Sequence, residues 1–236
     1  MISVAMATCQ GEPWIAAQLG SILEQLGPRD EIVVADASSS DRTLQLAQDI
    51  GGNRLRVIEN LPRGSVPATF EAALRACRGE RIFLSDQDDI WLSGKVEKCL
   101  RSLEGRPSLV LHDAMVTGPE HQILSPSFLA SRRFRPGFWP NLWRPGYLGC
   151  ALAFRRELLE RALPFPGSLA MHDWWLGLLA ERTGGIAVLR EPLIEHRRHG
   201  GNANFEPNRS PYPLTTRLGF RWRMWREVQQ RLGRTP

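Results

Sequence analysis

The 236-residue chain has no stretch approaching ~20 consecutive apolar residues, so no helix is expected to span a membrane. Its four cysteines, Cys9, Cys77, Cys99 and Cys150, show neither Cys-x-x-Cys spacing nor a pairing rhythm. Buried free thiols in a reducing compartment are therefore expected. The opening residues Met1-Ile2-Ser3-Val4 lack a basic region followed by an apolar run, so no secretory signal is expected and the cytoplasm is the simplest address. There is no internal repeat and no low-complexity tract. Charge of one sign does not dominate either: the net +5 is concentrated after residue 196, where nine arginines face Glu206 and Glu227. That balance of +7 leaves −2 for everything before it, a near-neutral body that does not suit a nucleic-acid binder.

Hydrophobic residues at 42% and charged residues at 23% suit an ordinary globular core. Residues 2–7 form a short apolar run fit for a buried strand. Pro13 then opens a helix in which Ile15, Leu19, Ile22, Leu23 and Leu26 recur with helical period, stopped by Gly27-Pro28. Residues 31–35 read as a second strand, and Ser39 or Ser40 can cap a helix carrying Leu44, Ala47 and Ile50. Residues 55–58 suggest a third strand, Phe70, Leu74 and Cys77 a helix ended by Gly79, and residues 81–84 a fourth strand. This alternation predicts a mostly parallel sheet flanked by helices, with ligands bound beyond the carboxyl ends of the strands. The second half is less regular. A helix through Val96, Leu100 and Leu103 precedes a strand ending at His112-Asp113. Residues 131–147 read as a long surface excursion without clean period, followed by helices from about Arg156 and around 174–180 and a strand near 186–189.

The sharpest chemical signal is Ser85-Asp86-Gln87-Asp88-Asp89-Ile90-Trp91, directly after the fourth strand. Three carboxylates in four positions repel one another unless a cation is present. Hard oxygen ligands of this kind suit Mg²⁺ or Mn²⁺, and a solvated acidic turn is the plainer alternative.

This segment resembles the SDQDDxW…K form of the DxD motif in family 2 glycosyltransferases of the rhamnosyltransferase-like kind, with Lys95 as the lysine. Three further segments match in order. Ala7-Thr8-Cys9-Gln10-Gly11 resembles A-T-Y-N-G, and residues 18–25 resemble a Q-L-x-S-I-x-x-Q helix. Ala35-Asp36 with residues 39–43 resembles S-D-D-G-S-x-D-x-T. The resemblance implies a GT-A fold, Rossmann-like, and donor binding by Thr8, Asp36, Asp86 and Arg198. Thr8 and Asp36 would lie against base and ribose, Asp86 near the ribose, and Asp88 on the metal of the diphosphate. Asp36 and Asp41 equally suit helix capping and first-turn charge. Ala37-Ser38 stands where the family has Asp-Gly, so the loop loses the residue that adopts positive φ most easily.

Met171-His172-Asp173-Trp174-Trp175 resembles the family's E-D or H-D-W motif, which implies Asp173 as the base that accepts the acceptor hydroxyl proton. A helix N-terminus there would favour the carboxylate as an anion; an N-cap beside core tryptophans is the alternative. Two adjacent tryptophans are not both expected to face the core, so Trp174 or Trp175 is expected to line the acceptor site with His172. Gly149-Cys150-Ala151 resembles the family's acceptor-side G-C segment, and His112-Asp113 resembles a pocket-wall element. Residues 195–202 resemble Y-R-x-H-G-x-N, with Arg198 suited to a diphosphate and His199 to the metal shell, unless they form an exposed basic loop.

The expected organisation is one GT-A unit over 1–205, with 1–115 holding the nucleotide sugar and 116–205 the acceptor and catalytic half, and a basic tail over 206–236. In the tail, Leu214, Leu218, Trp222, Trp225 and Val228 fall near one helical face among arginines. That pattern suits peripheral contact with an anionic membrane face, or packing on the body. The implied activity is metal-dependent, inverting transfer of a sugar, rhamnose or a hexose, from a dTDP- or UDP-linked donor. The implied acceptor is a saccharide or lipid-linked glycan in surface polysaccharide synthesis. A non-catalytic nucleotide-sugar or glycan-binding module is the other reading. Nucleotidyl transfer would want a Gly-rich phosphate loop, and residues 8–13 supply only Gly11.

Overall fold

A computed structural model describes residues 1–167, 169, 171–199 and 213–233. The first half follows the expected alternation: β1 (Ile2–Thr8), α1 (Ile15–Leu23), β2 (Glu31–Asp36), α2 (Thr43–Gly51), β3 (Leu55–Ile58), α3 (Val66–Ala76) and β4 (Arg81–Ser85). The four strands are parallel in the order β3-β2-β1-β4. Val4, Ala5, Met6, Ile32, Val33 and Val34 are all fully buried, as continuous apolar strands covered on both faces should be. The register sets Thr8 beside Asp36 and Met6 beside Ser85, so three carboxyl ends terminate at one edge.

After β4 come β5 (Ile90–Trp91), α4 (Lys95–Ser102), β6 (Leu109–Thr117), β7 (Ile123–Ser125), α5 (Phe128–Arg132), α6 (Phe138–Trp143), β8 (Leu152–Arg155), α7 (Arg156–Ala162), α8 (His172–Thr183), β9 (Ile186–Arg197) and α9 (Leu214–Gly233). β8 lies antiparallel between β4 and β6, and β9 is parallel to β6. The result is a mixed sheet, mostly parallel, with flanking helices.

Several local expectations are corrected. α1 ends at Leu23, before Gly27, and α3 ends at Ala76, before Gly79. Neither Ser39 nor Ser40 caps α2. The N-cap is Arg42, without a side-chain cap; Asp41 just before it accepts from the Thr43 N–H at 3.1 Å while its other oxygen accepts from the Glu12 N–H at 3.1 Å. β6 does not stop at His112-Asp113, because the Asp113 carboxylate is satisfied in place by the Ala114 and Leu129 N–H groups and the Ser127 hydroxyl. A buried carboxylate with its lone pairs taken can sit inside a strand. The excursion 131–147 contains α6 and is anchored by buried Phe134, Phe138, Leu142 and Tyr147. The proposed boundary at 205–206 lies outside the described residues, as do Gly200, Gly201 and Asn202.

The tryptophan expectation fails outright. Residues 172–180 of α8 are all buried, because α6, α7, α9 and β9 surround the helix. Trp174 Nε1 donates to the Asn141 carbonyl at 2.9 Å and Trp175 Nε1 to the Ala162 carbonyl at 3.1 Å. Both indoles therefore meet core neighbours with their polar atoms satisfied, and neither lines the cavity described below. Trp175→Ala is expected to destabilise the fold by about 3–5 kcal/mol, read from urea unfolding midpoints.

α9 packs on the body through Met224 and Val228, while Leu214, Leu218, Trp222 and Trp225 are exposed. The single apolar face expected in the tail is thus two adjacent faces. Among the described residues no helix is long and apolar enough to cross a membrane.

Candidate active site

The carboxyl ends of β1 and β4, the start of α3 and the N-terminus of α8 enclose a cavity of about 480 Å³. Thr8, Asp86, Asp88, Gly149, His172, Asp173 and Arg198 all line it, although they are spread over 190 positions of sequence. Asp36, Cys150 and His199 stand just behind the lining. Asp36 is buried, accepting from the Thr8 hydroxyl at 2.7 Å and from the Ser39 N–H and hydroxyl, each at 2.7 Å. In this arrangement Asp36 holds Thr8 and the following turn in place.

That turn keeps its left-handed residue without glycine. Ser38 has φ +57°, and its hydroxyl donates to the Leu61 carbonyl at 2.9 Å. This bond across 23 positions works against the roughly 1–2 kcal/mol penalty for an L-residue there. The positive φ that glycine adopts most easily is thus taken here by Ser38. Gly11, by contrast, has no room for one: a Cβ would come within 2.3 Å of Gln87 Oε1. The Gln87 amide accepts from the Cys9 N–H at 2.9 Å and donates to the Cys9 carbonyl at 3.0 Å, tying the loop after β1 to the acidic loop.

The acidic loop is held from below by α1. Gln18 Nε2 donates to the Ser85 hydroxyl at 2.6 Å, and Ser21 Oγ accepts from the Trp91 N–H at 3.0 Å. Gln25 Nε2 donates to the Leu92 carbonyl at 3.1 Å. Gln18 and Ser21 share one face of α1 and Gln25 follows just past its end, a polar set that sequence reading matched as a motif without assigning it work. Their spacing among apolar neighbours was the available signal.

The carboxylates differ in environment. Burial pushes Asp86 up to about 7, and the charges of Asp89 and Asp88 add to the shift. Asp88 is raised by burial and by Asp89, against the opposing hydrogen bond from His199, whose Nε2 lies 2.8 Å from Asp88 Oδ2. The Trp14 ring stacks on His199 at 5.0 Å between centroids. Asp89 is different: burial opposes its charge, yet His196, 2.9 Å away, holds its carboxyl below the ordinary range. His196 is raised in return by Asp89 despite burial. Asp89 Oδ2 is buried with no hydrogen-bond partner among the described residues. Sequence reading missed the Asp89–His196 pair, since 107 positions separate its members.

Two donor sets for a cation therefore sit side by side. Asp86, Asp89, Cys150 and His196 place ligand atoms within 4.8 Å of one another. Asp88 with His199 forms the second set, and Asp88 lies on the cavity wall. Crowded carboxylates, two of them raised by burial and mutual charge, together with an unpartnered carboxylate oxygen, fit a hard divalent cation. Cys150 fits it poorly, because burial and the neighbouring carboxylates keep its thiol protonated.

Across the cavity, Asp173 opens α8. Burial raises its carboxyl to about 6, overcoming the backbone N–H groups that favour the anion. The N-terminus of α8 does favour the anion as expected, but burial outweighs it. His172 is pushed down to about 3 by burial, stacks on Phe70 at 4.2 Å and stays neutral. A Cβ on Gly149 would approach His172 Nε2 to 3.0 Å, so the ring would have to shift to admit one.

The family model for glycosyl transferase family 2 matches residues 3–163. The chain belongs to glycosyl transferase family 2. Among curated relatives, the dTDP-rhamnosyl transferase RfbG of Shigella flexneri is 26% identical over 215 residues, covering 84% of this chain and 72% of RfbG. Among solved structures, S. aureus TarS in complex with UDP superposes with a TM-score of 0.66 at 21% identity, covering 83% of this chain and 60% of that one. Glucosyl-3-phosphoglycerate synthase from Mycobacterium tuberculosis, solved with Mn²⁺, UDP and glucosyl-3-phosphoglycerate, gives a TM-score of 0.58 at 22% identity, over 100% of this chain and 81% of that one. These structural likenesses establish the GT-A fold. This family 2 chain spans only 60–72% of the length of TarS and RfbG.

Proposed function

We propose that the chain transfers a sugar, with inversion, from a dTDP- or UDP-linked donor to a saccharide or lipid-linked glycan acceptor in surface polysaccharide synthesis. The supporting observation is that Asp173, Asp86, Asp88, Thr8 and Arg198 line one cavity at the carboxyl ends of the strands. The rhamnosyl activity in the name of RfbG favours a dTDP-rhamnose donor, with a UDP-hexose as the other candidate.

Thr8, oriented by Asp36, faces the base and ribose, and Asp86 the ribose. Arg198 meets the diphosphate through its guanidinium. Asp173 accepts the proton of the acceptor hydroxyl while that oxygen bonds to the anomeric carbon. The bond from that carbon to the diphosphate oxygen breaks in the same displacement, and the electron pair leaves with the nucleoside diphosphate. One displacement inverts the anomeric centre. Mg²⁺ or Mn²⁺ held by Asp88, with Asp86 and His199, would neutralise charge on the departing diphosphate. Within this scheme 1–115 serves the donor and 116–205 the acceptor.

The test is a panel of nucleotide sugars assayed for release of nucleoside diphosphate with Mn²⁺ and with chelator. Release of dTDP or UDP that requires the metal is expected. Binding of a nucleotide sugar without turnover across the panel, in the presence of glycan acceptors, would show a non-catalytic module instead.

A further inference from the structure

The reaction leaves one surface of the molecule unused. All four exposed tryptophans of the described residues lie on two neighbouring helices, Trp139 and Trp143 on α6 and Trp222 and Trp225 on α9. Trp143 is 66% exposed and Trp222 57%. Leu214 and Leu218 extend the same stripe of α9. Scattered exposed apolar residues are ordinary, but six large ones on two adjoining helices form a patch.

The helices are joined at this face. Arg221 Nε donates to the Trp143 carbonyl at 2.8 Å, and its guanidinium lies 5.4 Å over the Trp143 ring. Arg226 lies 4.9 Å over Trp222. At about 100° per residue, Leu214, Leu218, Trp222 and Trp225 span roughly 80° of α9, with Arg221 and Arg226 on its two margins. Met224 and Val228 lie on the adjoining face, against the body. Packing on the body therefore accounts for one face of α9 and Arg221 ties its margin to α6, while Leu214, Leu218, Trp222 and Trp225 stay exposed.

Charge tells what the stripe can meet. The described part of α9 carries Arg217, Arg221, Arg223, Arg226 and Arg231 against Glu227 alone. Arg144 directly follows Trp143, and the positive cluster continues toward the cavity: Arg132 is lowered by burial and then by the charges of Arg198 and Arg144. A second copy apposed through this face would set arginines against arginines, which opposes a self-complementary dimer. Amphipathic indoles flanked by guanidinium groups match the boundary between anionic headgroups and acyl chains.

We propose that the joint Trp–Arg face of α6 and α9 docks the chain on anionic phospholipid bilayers. The four indoles enter the headgroup boundary and the flanking arginines meet lipid phosphates. The inference concerns residues outside the cavity, so vesicle binding and sugar transfer can fail separately.

The full chain is floated with phosphatidylcholine vesicles and with vesicles containing about 30% phosphatidylglycerol, while tryptophan emission is recorded. Binding to the anionic vesicles with a blue shift is expected, weaker by about tenfold or more on phosphatidylcholine alone and weakened by added salt. Trp143→Gln/Trp222→Gln, and separately Trp139→Gln/Leu218→Gln, are expected to lose about tenfold or more in binding with unchanged melting temperature, because these side chains are exposed. Three results would overturn the proposal. One is failure of the folded protein to bind anionic vesicles at low salt. Another is undiminished binding by both double variants. The third is a concentration-dependent dimer dispersed by those variants, which would show a second copy covering the face.

Discussion

Asp173→Asn is expected to lower sugar transfer by about 10²–10⁴-fold while leaving donor binding within a few-fold of the parent. Asparagine keeps the shape and the hydrogen bonds at the start of α8 but cannot take a proton. The proposed donor contacts, Thr8, Asp86, Asp88 and Arg198, line the cavity from other elements, so nucleotide affinity measured by calorimetry should survive. A pH profile tests the same assignment independently. Burial raises the Asp173 carboxyl to about 6, and a base works only when deprotonated. Turnover of the parent should therefore climb as pH rises through about 6 and level off above it, and the residual activity of Asp173→Asn should lack that inflection. Stability should move in the opposite sense. A carboxyl raised above its unfolded value destabilises the folded state increasingly from about 3.8 to about 6, and by a constant amount above that. The variant should melt no lower than the parent at neutral pH. A variant with normal transfer would remove Asp173 from the mechanism.

Asp88→Asn is expected to weaken Mn²⁺ binding and to reduce metal-stimulated transfer by about a hundredfold or more. Asp88 lies on the cavity wall with His199 against it, and its carboxyl is raised by burial and by Asp89. Replacing it removes one of three crowded negative charges, so without metal the protein should be no less stable. Calorimetric Mn²⁺ titration provides a readout that does not depend on turnover. The neighbouring set supplies the contrast. If Asp88→Asn bound Mn²⁺ normally while His196→Gln did not, the cation would belong to the Asp86–Asp89–His196 group.

Much of the site was readable in advance because its residues follow strands. Thr8 and Asp36 end β1 and β2, and Asp86 and Asp88 follow β4, where a parallel sheet presents its carboxyl edge. Motif order grouped Asp173 and Arg198 with them, and both line the same cavity. What escaped was whatever depends on a distant partner. Gln18, Ser21 and Gln25 acquire their role only when α1 lies under the acidic loop, and Asp89 only when β9 brings His196 to it. His112-Asp113 looked like a strand end because nothing local shows that Ser127 and Leu129 return to satisfy the carboxylate.

The tryptophans mark the same division. A helical wheel assumes one buried side, but residues 172–180 of α8 are buried around the whole helix, so both of its adjacent indoles are core. α9 has a buried and an exposed apolar face where the wheel showed one. From sequence alone came the alternation of strands and helices, the family motifs and the identity of the charged groups, since these rest on short-range periodicity and side-chain chemistry. Only the tertiary structure decided which carboxylates are raised, which tryptophans meet solvent and which glutamines hold the acidic loop. Burial and long-range pairing are properties of the packed chain, and no local pattern contains them.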